Sequence, residues 1–169
     1  FEFEFIIPKD IDYAYGLGKI STYSSGSLGE ANGGETRVYV GGVNPNGIND
    51  SEGPQIELYL NNPNFANGGT TDETPTLVAE IFDENGINTV GNGIGHDISV
   101  ILDQKNADQV ILNNYYEADL DTYKSGQVTY KFDELSEGTH TLTFKVWDVN
   151  NNSSEETIEF VVRPQEEIE

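Results

Sequence analysis

The segment Thr139 to Val162, THTLTFKVWDVNNNSSEETIEFVV, constrains the fold more than any other part of this chain. It contains two alternating runs on either side of an Asp- and Asn-rich turn. Successive side chains of a strand point to opposite sides of a sheet, so every second residue shares a face. The large apolar residues at these positions are Leu142, Phe144, Val146, Ile158, Phe160 and Val162. The pattern predicts an antiparallel hairpin whose apolar face packs against a second sheet.

Five further segments between residues 54 and 163 resemble strands, because they alternate and are bounded by turn residues. Counted with the hairpin, the predicted strands are 55–60, 76–82, 98–103, 109–113, 127–132, 140–147 and 157–162. Seven strands are typical of an immunoglobulin-like β-sandwich. We therefore predict an all-β chain with such a sandwich at 54–163 and a short tail at 164–169.

The sequence pattern of residues 1–50 predicts additional β-strands that belong to a partial or adjoining β domain. Phe1, Phe3 and Phe5 alternate with glutamates, and strands are expected at 19–24 and 36–40, separated by glycine-rich turns. Residues 41–53, GGVNPNGINDSEG, contain almost no large apolar residue and predict a linker at the domain boundary. The chain starts without an initiator Met or a leader, which indicates a processed product or a fragment.

Charge and composition exclude several classes of function. Thirty acidic and eight basic residues give a formal charge of −22, which repels nucleic acid phosphates and anionic membrane surfaces. No apolar run approaches the roughly 20 residues that a membrane-spanning helix requires. The chain has no Cys, which excludes disulfides, a thiolate nucleophile and thiolate metal sites. We expect no nucleic acid partner and no membrane insertion.

Two segments carry a resemblance to a known family: PKDIDYAYGLGKIS at 8–21 and DENGINTVGNGIGHDI at 83–98. With TPTLVAEIFDENG and the WDVNNNSS turn, the likeness extends from residue 1 to residue 162. The chain resembles the C-terminal region of gingipain-like cysteine peptidases, and within that family the sortases of the type IX secretion system of Bacteroidetes.

The resemblance implies a function without catalysis. In that family a Cys and a His of an upstream α/β domain perform the peptide chemistry, and neither has a counterpart here. It therefore implies a non-catalytic spacer, brace or protein-interaction module of a cysteine endopeptidase. The implied partners are the upstream peptidase domain and secretion-system or secreted proteins. The implied location is the cell surface or the outside of the cell.

One end of the predicted sandwich is rich in oxygen ligands. The loops after the second, fourth and sixth strands, 83–97, 114–126 and 148–155, gather there in a sandwich of this order. Calcium takes about six to eight oxygen ligands and is the one cofactor that the sequence suggests. The candidate ligands are Asp83, Asn85, Asp97, Asp148, Asn150 and Asn152. The alternative is that these side chains only form turns by bonding their own backbone.

Four aromatic residues suggest a second function, an extracellular carbohydrate-binding or adhesion module. Trp147 points away from the core face of its strand, and Tyr115, Tyr116 and Tyr123 lie in the long loop before the fifth strand. Exposed rings of this kind stack on sugars or anchor a protein partner. The alternative is that Trp147 packs beneath a neighbouring loop or domain.

No set of residues predicts catalysis. His96 and His140 are the only imidazoles, and their spacing matches no metal motif. His140 falls on the core-facing register of its strand and is expected to have a satisfied hydrogen bond. His96 beside Asp97 matches part of a hydrolytic triad only as many serine-rich chains do by chance. Glutamates such as Glu57, Glu80 and Glu159 alternate with core residues and predict solvated sheet faces rather than a glycosidase pair.

Overall fold

The computed structural model describes residues 15–42, 45–90 and 95–164. The chain divides into two compact units, Phe1–Asn49 and Asp50–Glu169. The division falls inside the segment that the sequence predicts as a linker. The predicted strand at Phe1 to Phe5 and the predicted tail at 165–169 lie outside the described residues.

The first unit contains a long two-stranded antiparallel ribbon. Its strands are β1 (Gly16–Gly26) and β2 (Gly29–Val40), joined by a two-residue turn. The strands continue through glycines that the sequence predicts to be turns. Gly33 and Gly34 lie opposite Thr22 and Ser21, so residues without side chains pair here in a regular ladder. Among the glycines within β1 and β2, Gly29, with φ of 125°, has the positive φ that favours glycine.

The second unit is a two-layer sandwich. Its nine strands within the described residues are β3 (Gln55–Leu60), β4 (Thr70–Thr71), β5 (Thr76–Phe82), β6 (Ser99–Leu102), β7 (Val110–Ile111), β8 (Tyr116–Ala118), β9 (Ser125–Lys131), β10 (Gly138–Trp147) and β11 (Ser153–Val162). One sheet has the order β3-β5-β9-β8 and the other the order β4-β11-β10-β6-β7. All pairs are antiparallel except β4 with β11. Two short 3-10 helices, Asn106–Asp108 and Asn113–Tyr115, flank β7.

The topology is that of an immunoglobulin-like sandwich, and the predicted all-β fold is confirmed. Strands one, two and five of the predicted seven share one sheet, and strands three, four, six and seven share the other. The two strands absent from the sequence prediction are β4 and β8. Each has only two or three residues, too few to show an alternating pattern.

The core lies between the sheets and follows the predicted period-two pattern. Leu142, Phe144 and Val146 of β10 are completely buried, and so is Phe160 of β11. His140 continues the same face, with 7% of its surface exposed. It bonds Asp103 Oδ2 through Nδ1 at 3.0 Å and the Ser136 carbonyl oxygen through Nε2 at 2.7 Å, as its predicted position requires. In the described ranges no helix has the length and hydropathy of a membrane span.

Candidate metal site

Two aspartates at the ends of core strands meet at one end of the sandwich. Asp83 follows β5, Asp148 follows β10, and these strands belong to opposite sheets. Asp83 is 6% exposed and Asp148 is fully buried. The two loops are joined through their backbones, because Val149 N–H donates to the Gly86 carbonyl at 3.0 Å and Asn88 N–H to the Trp147 carbonyl at 2.9 Å. The convergence predicted from the sequence therefore occurs.

A third carboxylate, that of Asp50, completes the group. One carboxylate oxygen from each of Asp50, Asp83 and Asp148 lies within 4.8 Å of the other two. Asp50 precedes β3, and the pairing of Gln55 with Phe82 places the start of β3 beside the end of β5. At Gly53 an added Cβ would lie 2.6 Å from the carbonyl carbon of Ser153. Because residue 53 is a glycine, the segment between Asp50 and β3 can pass close to the backbone of β11.

We call these three carboxylates the aspartate cluster. Asp50 is absent from the sequence prediction because it lies in the segment interpreted as a linker, where no periodicity marks it. A weak signal was available, since an antiparallel partner of β5 must begin where β5 ends. That geometry places the residues just before Gln55 near Asp83.

Hydrogen bonds show that turn formation, the alternative interpretation, accounts for part of the cluster. Asp83 Oδ1 accepts from the backbone N–H groups of Asn85 and Gly86 at 2.7 and 2.9 Å. Asp148 Oδ1 accepts from the N–H groups of Asn150 and Asn152 at 2.8 and 2.7 Å. Such bonds stabilise tight turns of Asp and Asn residues. Each loop is thus fixed by the aspartate that opens it.

The asparagine side chains act as donors rather than as oxygen ligands. Asn85 Nδ2 and Asn150 Nδ2 both donate to Asp50 Oδ2, at 2.7 and 3.2 Å. Asn152 Nδ2 donates to Asp148 Oδ2 at 2.8 Å. To bind a cation through these amides, each side chain would have to turn its carbonyl oxygen inward. In this arrangement the three asparagines hold the carboxylates in place.

The electrostatics of the cluster are those of crowded anions. Burial raises the pKa of Asp83 and of Asp148, and the charge of Asp83 raises the pKa of Asp148 further. A hydrogen bond from the Glu52 backbone lowers the pKa of Asp50, so this more exposed carboxyl favours its charged form. None of the ion pairs among the described residues involves the cluster. A divalent cation would relieve the repulsion and supply the missing positive charge.

A cavity of about 340 Å³ gives access to the cluster from solvent. Asp50, Asp83 and Asn85 line it, together with Glu52, Glu84 and Lys124. Its wall therefore carries two further carboxylates beside the cluster. An ion the size of calcium with several coordinated waters fits a space of this volume.

The structure does not bring Asp97 into the cluster. Asp97 precedes β6, and the side chain next to it, His96, packs against Trp147 with 4.2 Å between ring centroids. Sequence reasoning also missed Gly86. Its φ is 119°, and an added Cβ would lie 2.7 Å from the Tyr123 ring, so a larger residue would displace the loop that Asp83 organises.

The four aromatic candidates occupy different environments. The Trp147 ring is covered by His96, and Lys145 Nζ lies 5.1 Å from its centroid on the outer face of β10. Tyr116 packs against the core and its buried hydroxyl has no hydrogen-bond partner. Tyr115 packs edge-on against Tyr130 at 5.0 Å. Tyr115 and Tyr123 are exposed, whereas Tyr116 packs inward and the Trp147 ring lies against His96. A sugar-binding or partner-binding role of the four residues stays a prediction.

The His140 and Asp103 pair has the separation of a catalytic dyad but a structural environment. The second ring nitrogen of His140 meets a main-chain carbonyl oxygen, and the ring stacks on Phe160 at 5.6 Å. Asp103 Oδ1 also accepts from the Thr141 backbone N–H at 3.1 Å. The pair therefore ties the end of β6 to the start of β10.

The comparison with known proteins finds similarity to solved structures but not to a family model. No protein-family model and no curated protein sequence matches the chain. The crystal structure of dimeric latent PorU from Porphyromonas gingivalis matches 95% of this chain with 33% sequence identity and a TM-score of 0.67. The chain spans only 15% of the length of that protein.

Two other solved structures match less well. The endo-beta-1,4-mannanase from Thermotoga petrophila covers 66% of this chain, with 20% of its own length, 16% identity and a TM-score of 0.43. CopC from Methylosinus trichosporium OB3b covers 67% of this chain with all of its own length, at 16% identity and a TM-score of 0.39. At these TM-scores neither match bears on function. The chain is PorU-like over nearly its whole length, similar to a segment of a gingipain-like sortase of the type IX secretion system.

Proposed function

We propose that this chain is a non-catalytic module of a PorU-like sortase, which spaces or braces the peptidase part of the longer polypeptide, called the parent below. The similarity to PorU over 95% of the chain is the observation that carries the proposal. The absence of Cys from the sequence supports it, because a cysteine peptidase requires a thiolate nucleophile that residues outside this chain must then supply. A module of such a parent works at the cell surface.

The construction of the sandwich suits a mechanical role. Its interior is filled by close-packed side chains from both sheets, and the turns at one end are fixed by hydrogen bonds to Asp83 and Asp148. The His140 and Asp103 pair joins two strands near the other end of β10. A body with a packed core and braced ends transmits force and holds a fixed distance, because protein interiors are hardly compressible.

Replacement of residues 54–163 in the parent tests this proposal. We expect a flexible Gly/Ser linker of similar length to abolish sortase-dependent maturation of secreted substrates. An unrelated immunoglobulin-like sandwich in the same place distinguishes a spacer from a partner-binding module. It should restore maturation if the module only acts as a spacer, but not if the module offers a specific partner surface. Unchanged maturation with the flexible linker would refute the structural role. Protease accessibility on intact cells tests the surface location.

We also propose that the aspartate cluster binds calcium and thereby joins the two sheets. The specific support is the approach of three carboxylate oxygens to within 4.8 Å of one another, two of them on buried residues. Two or three carboxylates with additional water or carbonyl oxygens form a usual calcium environment. Asp83 and Asp148 come from opposite sheets, so one ion bound to both would hold the sheets together at this end.

Calorimetry and thermal unfolding of chelator-treated protein test calcium binding. At 100 times the dissociation constant, a ligand that binds only the folded state stabilises it by about 2.7 kcal/mol. We expect calcium to raise the Tm of the wild type and of Asp108→Asn, a matched change at an exposed aspartate outside the cluster. The Asp50→Asn and Asp83→Asn variants should show no such rise. No heat and no Tm shift with wild-type protein would eliminate the calcium site.

A further inference from the structure

The ribbon of β1 and β2 exposes large apolar side chains at its open end. Tyr15, Leu17 and Tyr39 are 73%, 69% and 64% exposed. They share one face, because Leu17 pairs with Tyr39 in the ladder and the Tyr15 ring stacks on Tyr39 with 5.6 Å between centroids. We call this group the aromatic base. Beyond the β-bulge between Gly18 and Ile20, the same ribbon consists mainly of Ser, Thr, Gly and Asn.

The ribbon also lacks the charge that covers the rest of the chain. Residues 15–42 contain two basic residues, Lys19 and Arg37, and two acidic ones, Glu30 and Glu35, so their net charge is zero. The whole chain carries −22. Arg37 is moreover paired with Glu35 at 2.8 Å. Depletion of charge with enrichment of tyrosine is the composition of a protein interface rather than of a solvated surface.

Pairing within the ribbon does not explain its stability. Among the described residues, β1 and β2 pair only with each other, and most of their side chains are exposed on both faces. An isolated two-stranded ribbon is marginally stable at best in water, and a third strand or a packed face is needed. The aromatic base brings three large apolar side chains together on one face, whereas Tyr23 and Leu28 are exposed singly elsewhere in the ribbon.

The occupant of the aromatic base is better explained by the parent than by a second copy of this chain. Two copies would each carry −22, and this net charge disfavours their association most at low ionic strength. Three side chains are also far fewer than the roughly 20–30 residues a side of a stable independent interface. A covalently linked surface needs much less area, because linkage gives an effective concentration of about millimolar. The match to PorU covers 15% of that chain, so a PorU-like parent offers a large surface of this kind.

We infer that Tyr15, Leu17 and Tyr39 form a docking surface for an apolar patch on the part of the parent outside this chain. The inference rests on the proposed function, since it requires a PorU-like parent. The docking surface is the contact through which the module braces the peptidase part of the parent. The tip of the ribbon, with Leu28 fully exposed, lies at the opposite end of the strands and takes no part in the contact.

Cysteine labelling tests the docking surface, because the chain has no Cys of its own. Leu17→Cys reports on the aromatic base, and Leu28→Cys at the tip is the matched control. Maleimide labelling is measured at peptide resolution by mass spectrometry in the chain alone and in the full parent. We expect Leu17→Cys to react at least tenfold more slowly in the parent than in the chain alone. Leu28→Cys should react equally fast in both.

Equal labelling of Leu17→Cys in both contexts would overturn the inference. Concentration-dependent protection in the chain alone, with a dimer by light scattering, would also overturn it and assign the surface to a second copy. Hydrogen exchange of the wild type gives a readout without any substitution, with slower exchange at 16–20 and 36–40 expected in the parent. Failure of these tests leaves the sandwich-replacement experiment unaffected, so the docking surface and the structural role fail separately.

Discussion

The ribbon and the sandwich are built from strands of similar length, yet they treat alternating side chains in opposite ways. The sandwich hairpin, β10 and β11, has ten residues in each strand and buries Phe144 and Phe160 completely. The ribbon has strands of 11 and 12 residues and leaves Leu17 and Tyr39 more than 60% exposed. Strand pairing alone does not bury the apolar side chains. In the sandwich they are buried because a second sheet packs over the apolar face.

The turns of the two hairpins differ in the same sense. In the sandwich, the side chain of Asp148 accepts hydrogen bonds from Asn150 and Asn152 and fixes the loop between β10 and β11. In the ribbon, a two-residue turn before Gly29 closes the strands, and the φ of 125° at Gly29 is what allows it. The loop of the sandwich hairpin is therefore fixed by side-chain hydrogen bonds, whereas the turn of the ribbon relies on the backbone conformation of a glycine.

The largest expected effect comes from cutting into the sandwich core. Phe144→Ala removes a ring that is completely buried between the sheets, which costs about 3–5 kcal/mol of unfolding free energy. Tyr23→Ala in the ribbon, where the ring is 67% exposed, should change it by less than about 0.5 kcal/mol. Urea denaturation of both variants measures the contrast. Similar losses at the two positions would show that the ribbon has a core of its own.

The sandwich was predictable from sequence because its pattern is local. Two alternating runs around an Asp and Asn turn specify β10 and β11, and seven such segments specify the topology. The strands β4 and β8 were not predictable, since two or three residues carry no period and their pairing depends on neighbours in space. In the ribbon the sequence predicts strands at 19–24 and 36–40, but the strands extend through the glycines predicted as turns.

The candidate site was predictable only where it adjoins the pattern. Asp83 and Asp148 directly follow core strands, so their convergence follows from the topology. Asp50 follows no strand, and its position depends on the close passage of Gly53 past Ser153, a tertiary contact. Asp97 lies next to a core strand as Asp83 does, yet it is not in the cluster. A position next to a strand therefore predicts at which end of the sandwich a residue lies, but it does not predict which side chains the residue contacts there.

A smaller effect is expected at the cluster, where the sandwich holds buried carboxylates close to one another. Asp83 Oδ1 bonds the backbone, while Oδ2 accepts no hydrogen bond within the described residues. Asp83→Asn keeps the first oxygen and replaces the second by an amide that donates toward the other carboxylates. We expect a gain of about 1 kcal/mol at pH 7 in chelator, the usual net value of one hydrogen bond. Asp108→Asn, at an exposed position, should be neutral.

The pH dependence of this gain has a defined sign. Burial raises the pKa of Asp83 in the folded state above its ordinary value of 3.8. The stability that such a group contributes is fully present below the unfolded-state pKa and is lost as the pH rises through the folded-state pKa. The advantage of Asp83→Asn should therefore be largest at pH 7 and shrink as the pH falls toward 3.8. Urea titrations at pH 7 and pH 4.5 measure it, and an advantage that grows on acidification would contradict the assignment.

The smallest effect is expected at the tip of the ribbon. The Leu28 side chain is fully exposed, so Leu28→Ser removes no buried area and should leave the unfolding free energy within about 0.5 kcal/mol of the wild type. The variant should behave the same in the chain alone and in the parent, whereas Leu17→Ser should destabilise only the parent. Thermal unfolding of the four proteins makes the comparison. A loss from Leu28→Ser confined to the parent would place the contact at the tip, because only a covered leucine has apolar burial to lose.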